Sequence, residues 1–186
     1  MTSQGKCDIH FSTGLGPQPE GVGKAREQFV GASARAELDK LAAEYIATRK
    51  RMKPDSERTS EMSAIFTKMV TLASQIEGIN IKEQLINNDA GHRLVGYAYL
   101  YSKPDNAMLD TLVEAVTEFE NQPFGQYWGI KAIGKLLSTT RPIPPNIVTK
   151  LRNFLSELNK GTDRHFALSK ILDELPKGDT DERTVA

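Results

Sequence analysis

The sequence predicts an all-α fold in which a helical hairpin is followed by a short stack of antiparallel helix pairs. Two observations lead to this prediction. Apolar residues recur at three- and four-residue spacing through the first half of the chain, as they do in helices that bury one face. In the second half, a group of polar, bulky and small residues returns at the interval of a two-helix repeat.

The chain divides into four parts. Residues 1–21 form an N-terminal arm, 22–78 the helical hairpin, 79–176 the repeat region and 177–186 a polar C-terminal tail. The arm contains many glycines and prolines and few apolar residues, and a segment of this composition cannot bury a core. We therefore expect the arm to be flexible.

The composition limits the partners and the cellular location. The chain has 186 residues, with 24 basic and 24 acidic side chains and a pI near 6.8. Because a protein that neutralises many phosphates needs a basic excess, this balance disfavours nucleic acid as a partner. The single cysteine, Cys7, fits a reducing compartment. We see no signal peptide and no apolar stretch that spans a bilayer, so we expect a cytoplasmic protein with no membrane partner.

The hairpin is predicted from two apolar stripes and a short link. Residues 24–51 carry the first stripe, and the firm helix is expected from about Ala32. Pro54 ends this helix, and Asp55 or Ser56 can cap the next one. The first stripe contains Val30, Ala34, Leu38, Leu41, Ala42, Tyr45 and Ile46, and the second contains Met62, Ile65, Phe66, Met69, Ala73 and Ile76.

The second half of the chain contains three copies of one pattern. After residues 78–89, which are expected to form a short helical turn, each copy places a polar residue before two bulky residues, a small one and another bulky one. The copies begin 33 and 38 residues apart, which is typical of an α-helical repeat protein. They are Arg93-Leu94-Val95-Gly96-Tyr97-Ala98, Gln126-Tyr127-Trp128-Gly129-Ile130-Lys131 and Arg164-His165-Phe166-Ala167-Leu168-Ser169.

The small residue of each copy, Gly96, Gly129 or Ala167, predicts a close approach of the helix backbone to a neighbouring helix. Glycine inside a helix lowers stability by about 1 kcal/mol relative to alanine. Its use here indicates that a neighbouring helix leaves little room for a side chain. The helix around Gly96 is also apolar almost all round, which is typical of a helix enclosed by others.

On these copies, the segment from about Gly91 to Leu175 resembles HEAT-type helical repeats. Together with residues 51–59 and the methionine-rich helix after them, it is also similar to helical modules beside effector or sensor domains in bacterial multidomain proteins. The resemblance implies a right-handed stack of antiparallel helix pairs with a binding surface along one side. It brings no catalytic residues to this chain.

Aromatic residues form the first candidate binding surface. Six of them lie within about one repeat, in a chain that is only 7% aromatic. Tyrosine and tryptophan are favoured in binding hot spots because they combine a large area with a polar tip. Tyr97 and Tyr101 share an apolar face and are expected in the core, whereas Tyr99 and Tyr127 are expected to be partly exposed. The six are Tyr97, Tyr99, Tyr101, Phe124, Tyr127 and Trp128.

The basic end of the first predicted helix, residues 49–53, is the second candidate. These cations either compensate the helix dipole or contact an acidic partner or a nucleic-acid backbone. The residues expected to bind a partner are Tyr99, Tyr127, Trp128, Arg49 and Arg51.

Two groups of residues suggest a metal or an acid–base site, but structural roles explain them better. Cys7 and His10 have the spacing of half a zinc site, yet a closed site needs four ligands, and His92 and His165 stand singly on other predicted helices. Asp163 lies near His165 at the start of a predicted helix, where an N-cap formed by Thr162 or Asp163 explains the pair better.

Glycines and carboxylates in the repeat region also favour structural explanations. The glycines between Gly125 and Gly134 do not form a phosphate loop, because no strand precedes them and leucine follows the lysine after Gly134. Glu114, Glu118 and Glu120 crowd a helix end, and we interpret them as a solvated helix face.

The sequence thus predicts a non-enzymatic interaction module, an adaptor or regulatory segment that binds another protein or effector domain without a cofactor or metal. A nucleic-acid-binding helical-repeat protein, for example one acting on damaged bases, is the alternative and would need a basic groove. A small enzyme with a site assembled from scattered polar residues is the third hypothesis and would need a pocket with converging acids. The oligomeric state stays open.

Overall fold

The structure, a computed structural model, describes the backbone of residues 20–175 and the side chains of residues 31–175. Residues 20–175 form eight α-helices and no strand, which confirms the all-α prediction. None of the described helices has both the length and the apolar composition of a membrane span. The helices are α1 (Glu20–Arg51), α2 (Ser56–Ala73), α3 (Ile81–Leu85), α4 (Ala90–Ser102), α5 (Leu109–Glu114, continued by a π-helical turn over Ala115–Phe119), α6 (Pro123–Thr139), α7 (Pro145–Glu157) and α8 (Asp163–Asp173).

Helices α1 and α2 form the predicted antiparallel hairpin. Thr48 near the end of α1 donates to Glu61 near the start of α2 at 3.1 Å, and Arg35 donates to the carbonyl of Glu77 beyond the end of α2 at 2.9 Å. Asp55 caps α2 by accepting from a backbone N–H. All six residues of the second apolar stripe are buried. Helix α1 begins at Glu20, earlier than the expected firm start and just inside the N-terminal arm, the rest of which lies outside the described residues.

Helix α4 is enclosed by its neighbours, as its apolar composition predicts. It packs against α1, α2, α3 and α6, and Leu94, Tyr97, Ala98 and Leu100 have no exposed surface. The segment before it forms the short helix α3, which confirms the helical turn expected there. The core therefore continues from the hairpin into the repeat region without a break.

Gly96 and Gly129 lie where a neighbouring helical segment leaves no room for a side chain, as predicted, but side-chain atoms and not backbone atoms fill that room. A Cβ atom on Gly96 would lie 2.9 Å from Leu85 Cδ2, and one on Gly129 would lie 2.3 Å from Val116 Cγ2. Both distances are shorter than a carbon–carbon contact allows. In each case the crowding side chain belongs to the helical segment before the glycine's own helix.

The helices that carry the three sequence copies lie next to one another. Helix α4 packs on α6 and α6 packs on α8, while α5 contacts α6 and α7. Ile130, Ile133 and Leu136 of α6 are fully buried between these layers, together with Leu151 of α7 and Leu168 of α8. The start of α6 and the start of α8 are thereby brought close to the hairpin.

Candidate partner-binding groove

A buried ion pair lies at the centre of the polar contacts. Arg93 of α4 and Glu120, which follows α5, have side chains that are 6% and 0% exposed. Arg93 Nε and Nη2 donate to the two carboxylate oxygens of Glu120 at 3.1 and 3.2 Å, so the pair is bidentate. Arg93 Nη1 donates to the carbonyls of Asn87 and Asn88 at 2.7 and 3.1 Å. The pair therefore joins three segments of the chain.

Glu120 does not lie on a solvated face, so that interpretation of the three glutamates is wrong for this residue. Glu114 and Glu118 are exposed, as expected, whereas Glu120 is 3% exposed. The π-helical turn ends with the Glu120 N–H donating to the Ala115 carbonyl at 2.9 Å, and the backbone then becomes extended. This change of direction turns the carboxylate inward to Arg93.

The polar residues that open the three sequence copies form a connected row, here called the polar ladder. Arg93 binds the carboxylate of Glu120, and Gln126 Nε2 donates to the Glu120 carbonyl at 2.6 Å. Arg164 donates to Oε1 of the same Gln126. The first residues of the three copies, Arg93, Gln126 and Arg164, are therefore linked in one row of hydrogen bonds that passes through Glu120.

A second branch of hydrogen bonds connects Glu120 to the end of α1. The N–H of Gln122 donates to Glu120 Oε1 at 2.9 Å, and the side-chain oxygen of Gln122 accepts from Arg49 Nη2. Arg49 Nη1 donates to the hydroxyl of buried Tyr45 at 3.1 Å. Both branches thus end in an arginine at the edge of the core.

Burial and nearby charges shift the pKa values of three groups. Burial raises the pKa of Tyr97 well above its usual 10.0, and the charge of Glu120 adds to this. Burial also raises the pKa of Tyr45, although the hydrogen bond from Arg49 opposes the change. Burial works against the charge of Arg93, but the hydrogen bond and charge of Glu120 outweigh it and raise the pKa of Arg93. The core therefore favours a charged arginine beside neutral tyrosines.

We expect the fold to be lost as these tyrosines ionise. The pKa values of Tyr97 and Tyr45 are raised above the unfolded value of 10.0, so their contribution to stability is present below pH 10.0 and is lost as the pH rises through the folded values. A titration of tyrosinate absorbance should show a step above pH 10.0 that coincides with the loss of helical circular dichroism. If the Tyr45→Phe/Tyr97→Phe variant still showed this absorbance step at its full amplitude, the assignment to these two tyrosines would be wrong.

Four helices surround an open groove of about 500 Å³, here called the aromatic groove. Tyr127 and Trp128 of α6 are half-buried along it. The Trp128 ring stacks on Phe66 with ring centroids 4.0 Å apart, and Tyr127 meets it edge-on at 5.3 Å. The groove is lined by Arg49 of α1, by Arg58, Thr59, Met62 and Ser63 of α2, by Pro123, Phe124, Tyr127 and Trp128 of α6, and by Thr162, Asp163 and Arg164 at the start of α8.

The charge of the aromatic groove is positive. Of the described residues, Arg49, Arg58 and Arg164 line it, and Asp163 is the one carboxylate among them. Within residues 31–175 none of these arginines forms an ion pair, in contrast to Arg93. Helices α2, α6 and α8 also begin at the groove, and the positive ends of their dipoles add to the potential there.

The groove brings together three of the five residues expected to bind a partner, Arg49, Tyr127 and Trp128. The other two lie outside it. Arg51 pairs with Glu61 at 2.6 Å on the exposed surface, and Tyr99 lies beside Lys103, whose Nζ is 5.7 Å from the ring centroid.

Two lining arginines were not expected from the sequence. Arg58 lies one turn into α2, where nothing distinguishes it from other polar residues. Arg164 opens the third sequence copy, at the position of Arg93 in the first. The alignment of the three copies could therefore have identified Arg164 as a candidate residue.

A second groove of about 560 Å³ adjoins the first, and Tyr127 and Asp163 line both. We call it the lysine groove, because Lys131, Lys135 and Lys170 lie along it. It also contains the side chain of Phe166, which is 72% exposed. The adjoining grooves together give a basic face to a chain whose total charge is balanced.

The remaining candidate sites have structural explanations or lie outside the described part of the chain. Cys7 and His10 are outside it. Among residues 31–175, no three His, Cys, Asp or Glu side chains are grouped to hold a metal. Thr162 caps α8 by accepting from the His165 N–H at 3.3 Å, which confirms capping at this place.

A comparison with protein-family models, with curated proteins and with solved structures finds no match for this chain.

Proposed function

We propose that this chain is a helical-repeat module of HEAT type that binds another protein through the aromatic groove, as an adaptor or a regulatory segment. The proposal rests on one observation: half-buried aromatic rings meet, in one open groove, arginines that have no ion pair with any described residue. Tryptophan, tyrosine and arginine are the residues most enriched in binding hot spots. An extended surface beside stacked hairpins is also the usual binding site of helical repeats.

Three features of the described helices support the repeat assignment. The helices that carry the sequence copies, α4, α6 and α8, pack in that order. The polar ladder joins equivalent positions of the three copies. Gly96 and Gly129 are also equivalent in the copies, and each is crowded by the preceding helical segment.

Site-directed crosslinking in a cytoplasmic extract tests whether the groove is an interface. A photoreactive phenylalanine analogue at Thr59, an exposed residue of the groove, should capture a specific protein. The same analogue at Thr67, exposed on α2 but outside the groove, is the control and should not capture it. Capture that is equal at the two positions would contradict the proposal.

Affinity for the identified and purified partner then tests the contribution of the aromatic residues. Tyr127→Ala should weaken binding by about 30-fold or more, as expected for a hot-spot aromatic. Tyr99→Ala is the matched control, since Tyr99 is also half-buried but lies outside the groove. Circular dichroism should show that both variants stay folded. Equal losses in the two variants would place the interface elsewhere.

Nucleic-acid binding is the second candidate, and the basic face of the two adjoining grooves favours it. In the part of the chain that the structure describes, two acidic side chains, Asp163 and Glu174, line these grooves against six basic ones: Arg49, Arg58, Arg164, Lys131, Lys135 and Lys170. Binding of labelled single-stranded and duplex oligonucleotides, with affinity that falls steeply as salt is raised, would support this candidate over the first. We rank it second because one face of the Trp128 ring is already stacked on Phe66 and cannot stack a base.

A further inference from the structure

Within residues 31–175, two buried nitrogen donors have no hydrogen-bond partner, and both belong to the aromatic groove. Among the described side chains, the buried nitrogen and oxygen atoms without a partner are Arg58 Nε and Trp128 Nε1. Both residues line the groove. An unpaired buried donor lowers stability, and native proteins contain few of them. Their presence in one groove indicates that this place is arranged to donate hydrogen bonds to a ligand.

The charge around these donors determines the kind of acceptor. Among the described residues, the guanidinium of Arg58 has one hydrogen bond, a long one of 3.5 Å from Nη1 to the Met52 carbonyl. The guanidinium groups of Arg49 and Arg164 are held in place by the neutral oxygens of Gln122, Tyr45 and Gln126. Those contacts orient the two arginines without neutralising them. An anionic acceptor is therefore favoured over a neutral one.

From this geometry we propose that the aromatic groove binds an acidic segment of a partner protein, and that Arg58 and the indole N–H of Trp128 donate to one of its carboxylates. The inference rests on the proposed function and specifies the partner's chemistry. Pro123 and Phe124 give the groove apolar surface, so the carboxylate is accompanied by an aliphatic or aromatic side chain of the partner. Both donor atoms are shielded from solvent in the free chain, so the surrounding side chains change rotamer when the segment enters.

The single tryptophan of the chain makes this hydrogen bond directly observable. With one tryptophan, a ¹⁵N-labelled sample gives one indole N–H resonance, and this resonance belongs to Trp128. The probe is a pool of short peptides in which Asp and Glu alternate with Leu and Phe, capped at both ends. We expect the pool to shift the indole proton downfield in a saturable way. The matched pool, with Asn and Gln in place of Asp and Glu, should leave it unchanged.

Variants assign the contact to the two donors. Binding of the fluorescein-labelled acidic pool, measured by anisotropy, should weaken by about 10- to 100-fold in Arg58→Gln and also in Trp128→Phe, which keeps the ring and removes the donor. Arg152→Gln, which changes an exposed arginine of α7 outside the grooves, is the control and should bind as the unchanged chain does. Thermal unfolding should confirm that all three variants fold.

Several outcomes would overturn the inference. The amide pool could bind as tightly as the acidic pool, the indole resonance could stay fixed while the acidic pool binds, or a single-stranded oligonucleotide could shift the resonance when the peptides do not. In the first two cases the proposed function survives if the Thr59 crosslink and the Tyr127→Ala loss are observed. The last case would favour nucleic-acid binding instead.

Discussion

Glu120→Gln should lower the free energy of unfolding by about 3–5 kcal/mol, which is the usual consequence of removing one member of a buried ion pair. The substitution keeps the size of the side chain but leaves the Arg93 charge buried without its carboxylate. Arg93 is 5% exposed and cannot regain its hydration without a rearrangement of α4. Urea denaturation followed by helical circular dichroism measures the change. For a domain of this size the loss is a large part of the total stability.

Glu118→Gln provides the matched control for Glu120→Gln. It makes the same chemical change two residues earlier, at a side chain that is 52% exposed and paired with an equally exposed Lys150. We expect it to change the free energy of unfolding by less than about 0.5 kcal/mol. The Arg93→Met/Glu120→Leu double variant should be more stable than Glu120→Gln, since it leaves no unpaired charge. Similar stabilities for the Glu118 and Glu120 variants would show that the buried pair is absent.

The helices could be predicted because their causes are local. The apolar stripe of α2, its cap at Asp55 and the end of α1 before Pro54 each depend on residues within a few positions of one another. The repeat glycines were also recognisable, because a glycine inside an apolar helix has few explanations other than close packing. These features determine which helices form and which faces they bury.

The buried ion pair could not be predicted, because its cause is not local. Arg93 and Glu120 are separated by 27 positions, and they meet only because α4 packs on the start of α6 after the π-helical turn. The local sequence around Glu120 resembles an exposed helix end, and Glu114 and Glu118 do lie on one. Nothing in the spacing of the three glutamates distinguishes the member that turns inward.

The residues of the aromatic groove could be predicted only in part, because the packing of distant helices brings them together. Aromatic composition pointed to Tyr127 and Trp128, and the basic helix end pointed to Arg49. Arg58 joins them because the hairpin places the start of α2 beside the start of α6. Tyr99 and Arg51 satisfied the same sequence criteria but lie outside the groove. The composition therefore identified the type of residue, whereas the packing of the helices determined which of these residues line the groove.

The polar ladder connects the stability of the core to the geometry of the groove. Of the arginines that line the groove, Arg49 is hydrogen-bonded to Gln122, and Arg164 is hydrogen-bonded to Gln126. Both glutamines are hydrogen-bonded to Glu120. The Gln122 N–H binds the Glu120 carboxylate, so Glu120→Gln should disturb the position of Arg49. Gln126 binds the backbone carbonyl of Glu120, which the substitution keeps, so Arg164 should stay in place. Weakened partner binding in Glu120→Gln, measured where the variant is still folded, would have this origin, since Glu120 itself does not line the groove.

Gly129→Ala should lower the free energy of unfolding by about 1–3 kcal/mol, as overpacking in a filled core does. The new Cβ would lie 2.3 Å from Cγ2 of Val116, and neither residue has space to move, because both are buried. Thermal and urea denaturation of the variant measure the loss. This expected loss of stability is opposite in sign to the intrinsic helix preference, which favours alanine over glycine by about 1 kcal/mol.

Two further variants test whether the Gly129 effect arises from contact with Val116. In Gly129→Ala/Val116→Ala the crowding methyl group is gone, so the double variant should be more stable than the sum of the single changes by roughly 0.5–3 kcal/mol. Gly31→Ala is the matched control, since Gly31 lies in α1 and, among the described residues, no atom lies within 4 Å of the added Cβ. It should leave stability unchanged or raise it slightly. Additive effects at Gly129 and Val116 would mean that α5 and α6 do not meet in the described register. The helix packing that places Tyr127 and Trp128 in the groove would then lose its support.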